Sequence, residues 1–247
     1  MKKKRILALF LAAVSCLSLA VSASAASATT RKATDFKDYD RTAWYAEAVS
    51  AAVDNGLLYG KSSTIIDPNG DMTRAEMAAI INRSFGCYKQ ADISQYKDVA
   101  KSKWYYKDVG LAVQMGTYNG RSSSTMAPDA PISRQEAMTV VARALDYDSY
   151  SKTDLSAFSD RSEISNWALP YVRAMVGADY IHGRGKILAP QDNITRAEFA
   201  QIFANIIKNY INVKGEYVKD HDGNLLHGCD AQGHDDQGRP HHRLRRG

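Results

Sequence analysis

The chain writes nearly the same six residues three times: MTRAEM at Met72–Met77, ISRQEA at Ile132–Ala137 and ITRAEF at Ile194–Phe199. The copies stand 60 and then 62 residues apart, and the same landmarks precede each one. Unit one opens with Phe36-Lys37-Asp38, unit two with Tyr96-Lys97-Asp98 and unit three with Phe158-Ser159-Asp160. A tryptophan follows in each (Trp44, Trp104, Trp167), and sixteen residues later a glycine (Gly60, Gly120, Gly183). A proline comes next (Pro68, Pro128, Pro190), then the motif. A fixed order at a fixed period marks a repeated architecture whose units bury their apolar faces against one another.

Each unit reads as two helices around a loop. Tyr45, Ala48, Val49 and Ala52 occupy i, i+3, i+4 and i+7, one face of a helix. Unit two repeats the face with Tyr105, Val109 and Ala112, and unit three with Ala168, Val172 and Met175. Gly56 and Gly116 suit the left-handed residue that ends such a helix, and Asp179 stands there in unit three. The second helix starts at the motif, where Thr73 with Glu76, Ser133 with Glu136 and Thr195 with Glu198 form capping boxes. Behind them recur Met77, Ile80 and Ile81; Ala137, Val140 and Val141; and Phe199, Ile202 and Phe203. The expected fold is mainly all-α: three helix-loop-helix repeats packed around a pseudo-threefold axis as one domain. The expected organisation is a signal peptide at 1–25, repeats at 33–88, 93–150 and 155–213, and a polar, histidine-containing, disordered tail at 214–247.

The first segment has the form of a secretory signal: Lys2, Lys3, Lys4 and Arg5, an apolar run from Ile6, then Ala23-Ser24-Ala25. The run is shorter than the ~20 residues a membrane span needs, so no membrane span is expected in the mature protein. The whole chain of 247 residues carries 32 basic and 27 acidic residues. Without the signal's four cations the mature part holds 28 against 27, so its net charge is +1. No basic block points to nucleic acid. Two mature cysteines, Cys87 and Cys229, do not make a disulfide scaffold, so the core must come from apolar packing. His227, Cys229 and His234 match no zinc spacing, and neither metal nor cofactor is expected.

Capping explains the hydroxyl and the glutamate but not Arg74, Arg134 and Arg196. A cation in the first turn opposes the helix dipole by a few tenths of a kcal/mol. Two readings stand side by side. The guanidinium and the helix-start N–H groups form a carboxylate or phosphate site, or the arginine pairs with an acid of a neighbouring unit, with Asp38, Asp98 and Asp160 as candidates. Those aspartates otherwise read as caps of the first helix or its preceding turn, and secondly as acceptors of sugar hydroxyls. Trp44, Trp104 and Trp167 read first as core and second as stacking platforms for a sugar ring. Gly60, Gly120 and Gly183 read as turn residues with positive φ or as points of close backbone approach.

The order Phe-x-Asp, Trp, Gly, Pro, Thr-Arg-Ala-Glu resembles the S-layer homology domain family, over roughly 35–210. The resemblance implies a three-pronged helical domain that binds cell-wall polymers without catalysis. It further implies a secondary cell-wall polysaccharide carrying a pyruvate ketal, with Arg74, Arg134 and Arg196 pairing with the ketal carboxylate in grooves between units. One departure recurs. Where the family has Asp-Gly after the loop glycine, this chain has Lys61-Ser62, Arg121-Ser122 and Arg184-Gly185, extra cations that favour an anion. The expected role is therefore a non-enzymatic anchor of a secreted protein at the wall. The alternatives are a self-associating S-layer subunit and an accessory to a cell-wall hydrolase.

Overall fold

The computed structural model describes residues 31–211 apart from residue 87 and residues 148–150. The signal peptide expected at 1–25, the tail expected at 214–247, and both Cys87 and Cys229 lie outside the described residues. Within them stand six α-helices and no strand, as the all-α reading expects. Unit one supplies α1 (Ala46–Asp54) and α2 (Arg74–Phe85), and unit two supplies α3 (Tyr106–Gln114) and α4 (Arg134–Ala144). Unit three supplies α5 (Leu169–Gly177) and α6 (Arg196–Ile211).

The first helix of every unit ends alike. The N–H of Leu57 reaches back to Ala52 O at 2.8 Å, Thr117 to Ala112 at 3.1 Å and Tyr180 to Met175 at 3.0 Å. The residue before each donor is left-handed: Gly56 at φ 68°, Gly116 at 70° and Asp179 at 62°. These are glycine-type helix stops, and Asp179 takes the same conformation at a steric cost that glycine avoids. The second helices start with reciprocal caps. Thr73 Oγ1 accepts from Glu76 N at 3.2 Å while Glu76 Oε2 accepts from Thr73 N at 3.0 Å. Ser133 with Glu136 and Thr195 with Glu198 repeat the pair.

The units share one core. The second helix of each unit packs on the first helix of the next: α2 on α3, α4 on α5, and α6 back on α1. Phe85 of unit one and Phe203 of unit three meet edge to face at 6.4 Å between ring centres. The residues just before the caps close a second ring. Ile132 N donates to Met72 O, Ile194 N to Ile132 O and Met72 N to Ile194 O, each at 3.0 Å. All three side chains are fully buried. The buried residues of all three units form one cluster, so the lost chain entropy of one unit is offset in large part by burial against the other two.

Candidate functional site

The loop between the two helices is held from inside its own unit. Asp38 does not cap the first helix, whose N-cap position Tyr45 has no side-chain bond. Its two carboxylate oxygens accept instead from Ile66 N at 2.9 Å and Asp67 N at 2.7 Å, 28 and 29 residues on. Asp98 does the same for Met126 and Ala127, and Asp160 for Leu188 and Ala189. The second residue of each pair lies at positive φ: Asp67 at 56°, Ala127 at 54° and Ala189 at 50°. A non-glycine residue stays there only when its surroundings fix it, and the aspartate supplies that fixation. The glycine reading resolves in favour of close approach at Gly60 and Gly120. A Cβ on Gly60 would overlap the Phe36 ring and stand 2.8 Å from Ile65 O, and Gly120 would meet Tyr96 and Thr125 likewise. Gly183 combines both reasons, with φ at 72° and Ile187 O at 2.6 Å from a Cβ.

The neighbouring unit holds the same loop from outside. Arg74 Nε donates to Met126 O at 2.9 Å, and its Nη2 donates to Asn119 O at 3.0 Å. Arg134 Nε donates to Leu188 O at 2.8 Å. Arg196 Nε donates to Ile66 O at 2.8 Å, and its Nη2 donates to Tyr59 O. The guanidinium thus leaves its own helix start and clamps the loop of the next unit, which removes the dipole objection raised from sequence. The three arginines are only 5, 5 and 2 % exposed. Tyr118, fully buried, donates to Arg74 O at 2.8 Å, and its ring lies 5.1 Å from the Arg74 guanidinium carbon. The helix-start N–H groups are also taken. Arg74 N donates to Ala130 O and Ala75 N to Pro128 O, with matching bonds from Arg134, Gln135, Arg196 and Ala197. The free helix-start donors that the sequence reading gave an anion are therefore not free.

The acidic partner of each arginine is the capping glutamate of the next unit, not Asp38, Asp98 or Asp160. Arg74 meets Glu136 at 3.0 Å, Arg134 meets Glu198 at 2.9 Å and Arg196 meets Glu76 at 3.4 Å. A second cation, the one following the loop glycine, reaches the same carboxylate from the solvent side. Lys61 lies 2.6 Å from Glu76, Arg121 3.4 Å from Glu136 and Arg184 2.7 Å from Glu198. Each junction therefore has a buried floor arginine, a glutamate that both caps and bridges, and an exposed rim cation. Burial alone would raise the Glu76 carboxyl. The Lys61 bond, the Thr73 N–H and the Arg196 charge outweigh it and hold Glu76 below the usual glutamate value. Glu198 is lowered in the same way, with Arg184, the Thr195 N–H and Arg134 overcoming burial. Burial depresses the Arg134 and Arg196 guanidinium groups, opposed by Glu198 and Glu76. Rim Arg184 goes the other way, raised first by its bond to Glu198.

The tryptophans are not core. Trp44, Trp104 and Trp167 are 63, 61 and 51 % exposed, while the next residue, Tyr45, Tyr105 or Ala168, is buried. Each indole precedes its helix by two residues and stands off the buried face. Trp44 meets Tyr45 edge-on at 5.5 Å, and Trp104 meets Tyr105 at 5.3 Å. Tyr105 donates to Asp129 at 2.9 Å, and burial with that carboxylate pushes its hydroxyl up to about 12. Among the described residues no group of three His, Cys, Asp or Glu side chains is placed to hold a metal, and no helix is long and apolar enough to cross a membrane.

The sequence matches the S-layer homology domain at 35–78, 95–138 and 157–200, together more than half of the chain. The chain belongs to the S-layer homology domain family. Each match begins at the Phe-x-Asp segment and ends just past the capping box, so it spans the loop, the aspartate that holds that loop and the arginine that clamps a neighbouring unit's loop. S-layer homology domains are cell-surface anchoring modules, and the relatives are consistent with that. The Surface-layer 125 kDa protein of Lysinibacillus sphaericus is 32 % identical over 182 residues, 72 % of this chain and 15 % of that protein. The Amylopullulanase of Thermoanaerobacterium thermosulfurigenes is 27 % identical over 186 residues, 71 % of this chain and 10 % of the enzyme. The S-layer protein sap of Bacillus anthracis is 22 % identical over 176 residues, 71 % of this chain and 21 % of that protein. The chain thus spans between 10 and 21 % of the length of these three relatives.

Proposed function

We propose that this chain is a non-catalytic wall-binding module that holds a secreted protein at the cell surface. It does so by gripping an anionic secondary cell-wall polysaccharide, with a pyruvylated sugar as the preferred residue, in the grooves between repeats. One observation carries this reading: an exposed rim cation stands over the bridging glutamate at all three junctions. Capping and clamping need only the floor arginine and the glutamate. The rim cation adds little to stability at such exposure, yet it recurs three times. A sugar carboxylate arriving there finds a rim ammonium or guanidinium, and a floor arginine that deepens the positive field.

Three exposed indoles at matching positions supply apolar platforms of the kind that stack on sugar rings. In this reading Arg74, Arg134 and Arg196 set the charge and shape of the groove floor. Trp44, Trp104 and Trp167 take ring faces. Asp38, Asp98, Asp160, Gly60, Gly120 and Gly183 fix the loop that carries the rim cation. The relatives add an independent support. A surface-layer protein and an amylopullulanase differ in their named roles, yet each matches about seven-tenths of this chain. What they share is an anchor rather than a reaction.

The test is retention of the mature protein on purified wall sacculi of the source bacterium, before and after chemical removal of the secondary polymer. Retention on intact sacculi and release from stripped ones is expected. Equal retention on both would overturn the reading.

A further inference from the structure

The three junctions share a plan but not a charge. At the junction of units two and three, Arg184 is bound to both oxygens of Glu198, at 2.7 and 3.1 Å, and to Asp192 at 2.7 Å. Asp192 stands where unit one has Gly70 and unit two has Ala130. Two cations, Arg134 and Arg184, therefore face two acids, and the rim guanidinium is already occupied. At the junction of units three and one, Lys61 is drawn onto Glu76 at 2.6 Å. Arg196 there also feels Asp67 and Asp38, and Asp67 stands where units two and three have alanine. At the junction of units one and two both extra acids are missing, because the positions hold Ala127 and Ala130. The acid of that loop, Asp129, is engaged by the Tyr105 hydroxyl. Glu136 is held from below by Arg74 at 3.0 Å, and Arg121 touches it only at 3.4 Å and otherwise meets Pro131 O at 3.3 Å. Arg121 is also the most exposed rim side chain, 46 % against 38 % for Arg184 and 34 % for Lys61.

We propose that the junction of units one and two is the principal anion-binding groove, that Arg121 sets its preference for a carboxylated sugar, and that Asp192 holds the groove between units two and three in a self-neutralised state. The proposal rests on the wall-binding reading given above and deepens it. The physical reason is competition. A ligand carboxylate at Arg184 must displace two protein carboxylates already within hydrogen-bond distance, whereas at Arg121 it displaces one long carboxylate contact and one long carbonyl contact. Lys61 ranks between them, since it has one acidic partner and offers a point charge rather than a planar fork.

Binding of the full mature chain to intact sacculi, titrated with salt, tests the ranking. Arg121→Gln is expected to weaken retention about 10-fold or more, the loss of one charge-assisted contact. Arg184→Gln is expected to weaken it by no more than about 3-fold on the same scale. Asp192→Ala should strengthen binding, and adding Arg184→Gln to it should cancel the gain. An Arg184→Gln loss equal to or larger than that of Arg121→Gln overturns the ranking, as does an Asp192→Ala protein that binds no better than the parent. The triple variant Lys61→Gln/Arg121→Gln/Arg184→Gln separates the two levels. If it stays on the wall, the groove reading itself fails. If it comes off while the single variants lose equally, only the ranking fails. Thermal melts accompany every variant, and the exposed rim positions are expected to melt with the parent.

Discussion

Arg74 and Arg121 are two cations on one carboxylate, Glu136, and they do opposite work. Arg74 is buried and spends its N–H groups on Met126 O, Asn119 O and Glu136. Arg121 sits half in solvent with contacts of 3.3 and 3.4 Å. The charge type is the same, so it does not decide the role. Desolvation does. A buried guanidinium left unpaired costs several kcal/mol, which makes its partners obligatory. An exposed one keeps its hydration and trades partners at little cost. The floor therefore belongs to the fold, and the rim is the part the proposed function gives to the ligand.

The largest effect that would break this contrast is removal of the neighbours. A peptide spanning 33–88 keeps Arg74 but loses every acceptor it has in unit two, together with the surface that α2 buries on α3. It is expected to be largely unfolded by circular dichroism, and a sharp melt would contradict the shared core. Next comes Arg74→Gln in the whole chain. It strips two loop carbonyls and leaves Glu136 with the rim cation alone. A loss of about 3 kcal/mol in urea unfolding is expected, at the lower end for a broken buried pair. A loss below about 0.5 kcal/mol, the usual surface value, would move Arg74 to the rim class.

Acid tests the glutamates between floor and rim. Glu76 and Glu198 have folded-state values held below their unfolded ones. Their contribution is therefore complete above about pH 4.5, the ordinary glutamate range, and is lost as pH falls through the lower folded-state values. Urea midpoints should be level from about pH 8 to 5 and fall below about pH 4. A midpoint that rises on acidification would reverse the sign and refute the bridging role. The smallest effect is Thr195→Ala, about 1 kcal/mol for a lost N-cap. Floor arginines and caps add independently only if the clamp does not also position the cap, and the double variant with Arg196→Gln measures that coupling.

Much of this fold was legible because local chemistry repeats. The apolar face Tyr45, Ala48, Val49, Ala52 is buried as its spacing requires. The capping boxes close, and Gly56, Gly116 and Asp179 stop the first helices. Trp44 was legible too, had the same face been extended one residue back: it lies off the stripe that begins at Tyr45. The clamp was not legible. Arg74 to Met126 spans 52 residues and Arg196 to Ile66 spans 130, and no local pattern names a backbone carbonyl as partner. The aspartates misled for a related reason. Asp38 precedes a helix as a cap would, but its acceptors serve the N–H groups of a loop 28 residues later. Lys61, Arg121 and Arg184 stood out only as departures from the family pattern, and their pairing with the capping glutamates required the packed units.

The division of labour has one direct test. The chain with Lys61→Gln, Arg121→Gln and Arg184→Gln together keeps every floor arginine, every cap and every loop clamp. Its binding isotherm on intact wall sacculi, taken on protein that melts with the parent, is predicted to collapse to the level of parent protein on polymer-stripped sacculi. A folded triple variant that binds intact sacculi as the parent does would contradict the assignment of the wall to the rim.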